Sequence, residues 1–541
     1  MSSKNKFSER AVATIIGVST PTEVSLIIDP SIAHSHPLEQ GEFVIIEYPE
    51  DLIEKPVIAM VSKLALSNEN FIESLIKSPE SIERLALLGD IQDGEKFGAT
   101  ARILGYYAPH KNRIISPRFP PHPGAKVYRA PGYILEEIFG KGDISIGHLR
   151  SHADVSVKLN INELVSKHFA VLAITGAGKS YSIAIMVSRI LNELNGSVLI
   201  IDPHEDYVPF VNNEQIKGNI VVFSAKRHSE RQRIAFKLRH FGHDELMSLL
   251  EIPERATIQR DLFSKAYWQL QEKKNDWDLD DLKNEIDQII DDLRQEEKKK
   301  EANRLENSKY GLFSRIDLAP ARDVLSKHFE LPIYDPNGPS LVKPNQLSII
   351  TLTGLSTRTQ QTIVNIIARK IFNAGKAFVR NENIPQLPCA NLMVVEEAHN
   401  FIPSSGRASR SLKQIAAEGR KFGVGLGLVS QRPGKLDSDV LSQCNTQIIL
   451  RIVNPFDQQQ ILRSSESLSE DLLNDLPALN VGEAVIVGPS LPIPALVKIE
   501  EFQGALGGTG IDIKNSWKKA LKNQKKKIKK PQSYEDDFSL D

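Results

Sequence analysis

The period of the hydrophobic positions changes several times along the chain. Over the first hundred or so residues, short runs rich in β-branched residues (TEVSLIID, EFVIIEY, KPVIAMVSKL and GATARILGYY) alternate with turn-formers such as HPLEQGE and YPEDLIEKP. This texture predicts short strands gathered into a small barrel or sandwich over residues 1–110. Pro117, Pro120, Pro121, Pro123 and Pro131 follow. Neither a helix nor a ladder runs far through such spacing, so a proline-rich linker is expected over 111–144. From 145 the strands become apolar throughout: FAVLAI, SVLIID, NIVVF, LSIITLTG, NLMVVE, VGLGLVS and TQIILRI, with helical stretches between them. Strands apolar on both faces must be covered on both faces, which predicts an α/β architecture around a parallel sheet.

One long segment interrupts that alternation. Residues 230–329 show helical spacing and almost no strand signal, as in LDDLKNEIDQIIDDLRQ with Leu282, Ile286, Ile289, Ile290 and Leu293 on one stripe. A helical insertion is expected there, dividing the core into 145–229 and 330–505. Heptads are not sustained, which argues against a coiled coil. Beyond 506 the chain turns basic: KKALKNQKKKIKK, then an acidic tip, YEDDFSLD. Such a tail suits DNA contact, a solvated arm, or, around Trp517, bracing of a neighbouring subunit.

Composition narrows the class. Of 541 residues, 41% are hydrophobic and 25% charged, the balance of an ordinary globular protein. Lys+Arg number 67 against Asp+Glu 68, a net charge of −1, so any nucleic-acid site must be local rather than a property of the whole surface. No apolar run approaches the roughly 20 residues of a membrane helix, and the N-terminus lacks a long apolar stretch. A cytoplasmic protein with no membrane association is expected. Cys389 and Cys444 stand far apart without metal or redox spacing and read as buried thiols.

Chemistry concentrates at three strand ends. FAVLAITGAGKSYSIAIMVSRI sets a glycine-rich turn between an apolar strand and an amphipathic helix, the context a phosphate-binding loop requires. Thr175, Gly176, Ala177, Gly178, Lys179, Ser180 and Tyr181 form the expected nucleotide-binding segment. The glycines permit positive φ, the helix N-terminus favours an anion, Lys179 reaches the β- and γ-phosphates, and Ser180 ligates Mg²⁺. Ala173 stands where the usual pattern begins with glycine. NLMVVEEAHNF delivers two acids at another strand end: Glu396 for the Mg²⁺ shell, in a place usually held by aspartate, and Glu397 to orient and activate the attacking water. SVLIIDPHEDY offers Asp202, His204 and Glu205, which either line the same site or its Mg²⁺ shell, or form a plain polar loop. No NKxD-type segment for reading guanine occurs, so ATP is the expected nucleotide.

These motifs, together with IAAEGRKFGVGLGLVSQRPGKLDSDVLSQCNTQIILRI and LSEDLLNDLPALNVGEAVIVG, resemble the HerA family of hexameric DNA helicases and translocases, in the family's order and from about Ala11 to Phe502. The resemblance implies an N-terminal HAS-type β-barrel, a RecA-like P-loop ATPase core bearing the helical insertion, and a homohexameric ring. It implies ATP and Mg²⁺ as cofactors, double-stranded DNA or DNA ends as substrate, and a NurA-type nuclease partner in end processing and recombinational repair. Arg420 of EGRKFG matches the arginine finger; by itself it would read as a cation suiting a helix C-terminus. Gln431 matches a γ-phosphate sensor, and Lys167 stands where relatives carry arginine, which puts a trans-acting role there in doubt. Arg432 and Lys435 are the DNA-contact candidates, by proximity to that sensor strand. The competing expectations are a ring ATPase that acts on protein and a nucleotide switch without motor activity.

Overall fold

The computed structural model describes residues 10–528 except 36, 50–52, 54, 69–94, 109–112, 227, 274–275, 383, 407–408 and 508–512. Its N-terminal part contains β1 (Ala13–Ile16), β2 (Glu23–Ile28), β3 (Phe43–Ile46), β4 (Val57–Asn68), β5 (Glu95–Ala108), β6 (Arg113–Ile115) and β7 (Lys126–Arg129). Their order is β2-β1-β7-β3-β4-β5-β6, and β2 also pairs with β5, so six antiparallel strands close on themselves. The result is a barrel rather than a sandwich, and closure removes the exposed edges that short strands would otherwise carry. In β2, Val24, Leu26 and Ile28 point inward and Glu23 and Ser25 outward, the period-two alternation that fills a barrel core.

The passage 111–144 is not simply a linker. Strand β7 sits between β1 and β3 and completes the barrel, while β6 extends β5. The five prolines fall outside both strands, so no ladder N–H is lost, and Pro131 becomes the N-cap of helix Gly132–Phe139. Phe139 then packs at 5.5 Å between ring centroids on Phe43 of the barrel wall.

The larger sheet comprises β8 (Ile144–Leu149), β9 (Ser156–Leu159), β10 (Phe169–Leu172), β11 (Ser197–Asp202), β12 (Asn219–Ser224), β13 (Gln232–Arg233), β16 (Gln346–Thr351), β17 (Asn391–Val395), β18 (Val424–Ser430), β19 (Thr446–Ile449), β20 (Glu483–Val487) and β21 (Ala495–Ile499). The order is β13-β12-β16-β11-β17-β18-β10-β19-β20-β21-β8-β9. Strands from β13 to β19 run parallel, whereas β20, β21, β8 and β9 add an antiparallel extension beside β19. Short connections within β8–β9 and β20–β21 cannot make a parallel crossover, which is why this edge departs from the expected parallel sheet. Every residue of β10, β11, β16, β17, β18 and β19 is buried, as their unbroken apolar runs require.

The segment 230–329 opens and closes on a two-stranded pairing of β14 (Phe236–Lys237) with β15 (Leu325–Ser326). Between them lie helices His243–Leu249, Thr257–Lys273, Leu279–Gln295 and Lys299–Leu318. A capping box starts the third: the Asp278 carboxylate accepts from the Asp281 N–H at 2.8 Å and the Asp281 carboxylate from the Asp278 N–H at 3.0 Å. Leu282, Ile286, Ile289 and Ile290 are buried and Leu293 is half-buried, packing with fully buried Trp277 and the core of the large sheet. Ile286→Ala is expected to cost about 2–5 kcal/mol by cavity formation, read as a lowered midpoint in chemical denaturation; a loss below about 1 kcal/mol would show that the bundle contributes little to the fold.

Cys444 is buried but Cys389 only half-buried. In the C-terminal helix Ile513–Ile528 every side chain from 513 to 521 is exposed, Trp517 included. The acidic tip lies outside the described residues. Among the described residues no helix is long and apolar enough to cross a membrane.

Candidate functional site

The glycine-rich turn leaves β10 and enters helix Lys179–Leu194. Gly176 has φ +80° and Gly178 φ +104°, the left-handed conformations that the two glycines were expected to supply. Ala173 is fully buried with an ordinary negative φ, its N–H bonded to the Ser430 carbonyl at 3.2 Å. Alanine therefore fits where the usual pattern has glycine, because this position needs smallness and not left-handed backbone.

Lys179 and the two acids converge at the carboxyl edge of the parallel strands, where open α/β sheets bind ligands, and Ser180 follows Lys179 in the first turn of the same helix. Strand β17 is two places from β10, with β18 between them. Lys179 Nζ lies 3.1 Å from Glu396 Oε2 and 3.0 Å from Glu397 Oε1, and all three side chains are nearly inaccessible. Burial disfavours the lysine charge, but the two carboxylates outweigh it and hold the ammonium above its ordinary value. Burial likewise raises Glu397, yet Lys179 and the Gln431 amide overcome it, so this carboxyl sits below the usual range and is ionised.

Glu397 adopts φ +48° and ψ +45°, left-handed backbone for a non-glycine residue. This costs roughly 1–3 kcal/mol and is sustained only where surrounding bonds over-determine it. Gln431, just past β18, supplies some of them: its Nε2 donates to Glu397 Oε1, and its Oε1 accepts from the Thr175 hydroxyl. The amide thus ties the phosphate loop to the second glutamate, and β18 carries it there by lying between their two strands. His399 Nδ1 stands 3.3 Å from Glu397 Oε2 and 3.2 Å from Ser430 Oγ. Burial keeps this histidine below its ordinary range despite the pull of Glu397.

The DPHEDY segment divides differently from the expectation. Asp202 is fully buried, but it caps its own turn, accepting the backbone N–H of Asp206 at 3.0 Å and of Tyr207 at 2.9 Å. Burial pushes its carboxyl up to about 7 against those two bonds. Glu205, at φ +64°, forms a two-pronged pair with Arg231 at 2.6 and 3.0 Å, and His204 is exposed. The residue of this segment that reaches the acids is Tyr207, whose hydroxyl donates to Glu396 Oε1. Burial, then the Glu396 charge, raises the phenol well above its ordinary value, so it remains a donor. Reading for charged side chains passed over it; its signal was a tyrosine five residues beyond an aspartate at a strand end.

Arg420 is not near the phosphate loop of its own chain. It follows helix Arg410–Glu418 and precedes β18, whose other end carries Gln431. Seven residues of strand separate the two edges by roughly 20 Å. There Arg420 is exposed and, with Lys167, His168, Asn445 and Ser464, lines a cleft of about 630 Å³. Lys167 pairs with Glu163 at 2.5 Å. Arg432 and Lys435 are exposed on the carboxyl edge, in a loop tied to residues 401–404 through the Ser404 N–H and Lys435 carbonyl at 2.8 Å. Tyr181 is exposed beside the phosphate loop.

The donor set at the carboxyl edge suits Mg²⁺. A serine hydroxyl at the start of a helix and a buried carboxylate are hard oxygen ligands, and a lysine already neutralises part of the acid pair.

Residues 144–371 match the family described as "Helicase HerA, central domain". The DNA double-strand break repair helicase HerA of Pyrococcus furiosus is 33% identical, the alignment covering 95% of this chain and 98% of that protein. The protein of the same name from Sulfurisphaera tokodaii is 31% identical over 94% of this chain and 97% of its own length. Among solved structures, VirB4 of Thermoanaerobacter pseudethanolicus superposes with a TM-score of 0.46 at 15% identity, covering 68% of this chain and 98% of that one. With a closed N-terminal barrel, a P-loop core of parallel strands, and similarity to two HerA helicases over nearly their whole length, the chain belongs to the HerA family.

Proposed function

We propose that this protein hydrolyses ATP to drive movement along DNA, as one subunit of a homohexameric ring working with a NurA-type nuclease in DNA end processing. The observation that carries the reading is the convergence of Lys179, Glu396 and Glu397 within 3.1 Å, with Gln431 joined to both Thr175 and Glu397. An ammonium already held by two carboxylates is poised to exchange them for phosphate oxygens.

In this reading the backbone N–H groups around Gly176 and Gly178 and the helix N-terminus cradle the phosphates, and Lys179 moves its charge onto the β- and γ-oxygens. Ser180 and Glu396 would hold Mg²⁺, which would supply positive charge against the charge that develops on the phosphates. Glu397, freed from Lys179 and steered by Gln431, takes the proton of the attacking water. Arg420 stands at the opposite edge of the sheet and serves the nucleotide of the next subunit. Arg432 and Lys435, at the carboxyl edge, contact DNA phosphates without reading sequence.

Lys179→Ala is expected to abolish ATP turnover and to weaken binding of a fluorescent ATP analogue. Because it also strands two buried carboxylates, its melting temperature should fall, and the binding measurement must be made on folded protein. Undiminished hydrolysis would refute the site. Duplex DNA should stimulate the ATPase, with a steep loss of stimulation as salt rises. Turnover indifferent to DNA would instead favour a protein-directed ring or a nucleotide switch.

A further inference from the structure

Glu396 is one methylene longer than the aspartate usual at the metal-binding strand end, and three side-chain torsions leave its carboxylate more ways to miss the metal. The structure removes that freedom. Of its two oxygens, Oε2 faces Lys179 at 3.1 Å and Oε1 accepts the hydroxyl of Tyr207, which lies 189 residues earlier in the chain. The phenol is itself tightly located. Its ring is fully buried and packs edge-on against Phe210 at 5.6 Å, and Phe210 packs on Phe502 at 5.2 Å. Its backbone N–H is pinned by Asp202 at 2.9 Å, so the turn after β11 sets the height of the hydroxyl.

We propose that Tyr207 is a positioning residue of the nucleotide site: it anchors one oxygen of Glu396 so that, once Lys179 turns to phosphate, the other oxygen is presented to the magnesium shell. This inference rests on the nucleotide-site reading above. Asp202 then has a role that its position at a strand end conceals. It does not ligate the metal but builds the turn that aims the tyrosine. The extra length of Glu396 is matched to its anchor, because an aspartate in that place would withdraw its carboxylate from the phenol by a full methylene.

The test uses the full chain and two equilibrium measurements: binding of a fluorescent ATP analogue in EDTA, and Mn²⁺ uptake in the presence of ADP, followed by electron paramagnetic resonance. Tyr207→Phe keeps the ring and removes only the hydroxyl. It should raise the Mn²⁺ dissociation constant about ten- to a hundredfold, the usual effect of losing a ligand's supporting hydrogen bond, while leaving analogue binding in EDTA within twofold. Glu396→Asp breaks the same contact from the other side and should weaken Mn²⁺ comparably, so the proposal remains testable if Tyr207→Phe does not fold. Combining the two should add less than threefold to the larger single effect. Mn²⁺ uptake by either single variant equal to that of the unaltered chain overturns the proposal, as do fully additive penalties. If the unaltered chain binds no analogue in EDTA and no Mn²⁺–ADP, the nucleotide-site reading itself fails and takes this inference with it.

Discussion

Glu397→Gln is expected to leave ATP bound and uncleaved, with kcat reduced by about 10²–10⁴-fold, the range for removing a general base. Affinity should hold or rise. In the structure Lys179 divides its charge between Glu396 and Glu397, and neutralising one acid releases the ammonium toward the phosphates. The hydrogen-bonding shape survives, since an amide replaces a carboxylate of the same size and Gln431 stays beside it. Rapid filtration with radiolabelled ATP, followed by analysis of the retained nucleotide, separates binding from cleavage. If the variant hydrolyses ATP within tenfold of the unaltered chain, Glu397 is not the base. His399, whose Nδ1 stands 3.3 Å from Glu397 Oε2, would then be the next candidate for the base.

Arg420→Ala should lower kcat by about 10³-fold or more while changing nucleotide affinity only a few-fold, as for loss of an arginine finger. Its stability should hardly change, because the side chain is exposed and lies at the opposite edge of the sheet from its own phosphate loop. A merely structural arginine at that helix end would give the converse: a loss of up to about 1 kcal/mol in stability and ordinary turnover. Mixing provides the decisive measurement. Arg420→Ala subunits retain Glu397, and Glu397→Gln subunits retain Arg420, so in the proposed ring a mixture would contain interfaces at which one intact half-site meets the other. ATPase recovered on mixing, from two preparations that are each inactive, is the expected outcome. No recovery under conditions where subunits exchange would count against a site shared between chains.

What the chain determined locally is the chemistry of the loop and the texture of the elements. Gly176 and Gly178 are required at positive φ by the turn itself, and the strand before them and the helix after them follow from apolar spacing over a few residues. The acids at 396 and 397 follow the apolar run NLMVV in the same way, and the amphipathic stripe of Leu282 and Ile286 announced the inserted helices. Resemblance to a family supplied Arg420 and Gln431, which local pattern alone did not single out.

Strand order was decided only in three dimensions. Because β18 lies between β10 and β17, Gln431 comes to bridge Thr175 and Glu397. Closure of β2 onto β5 made the first unit a barrel, and the edge left between β1 and β3 drew residues 126–129 out of the expected linker. Asp202 caps its own turn while Tyr207, which no local pattern singled out, reaches Glu396, since a buried carboxylate bonds whatever N–H groups its own turn offers before it can serve a distant site. The physical reason is common to these cases. Periodicity and turn chemistry act over a few residues, whereas inter-strand pairing and burial join residues hundreds of positions apart and depend on which strands become neighbours.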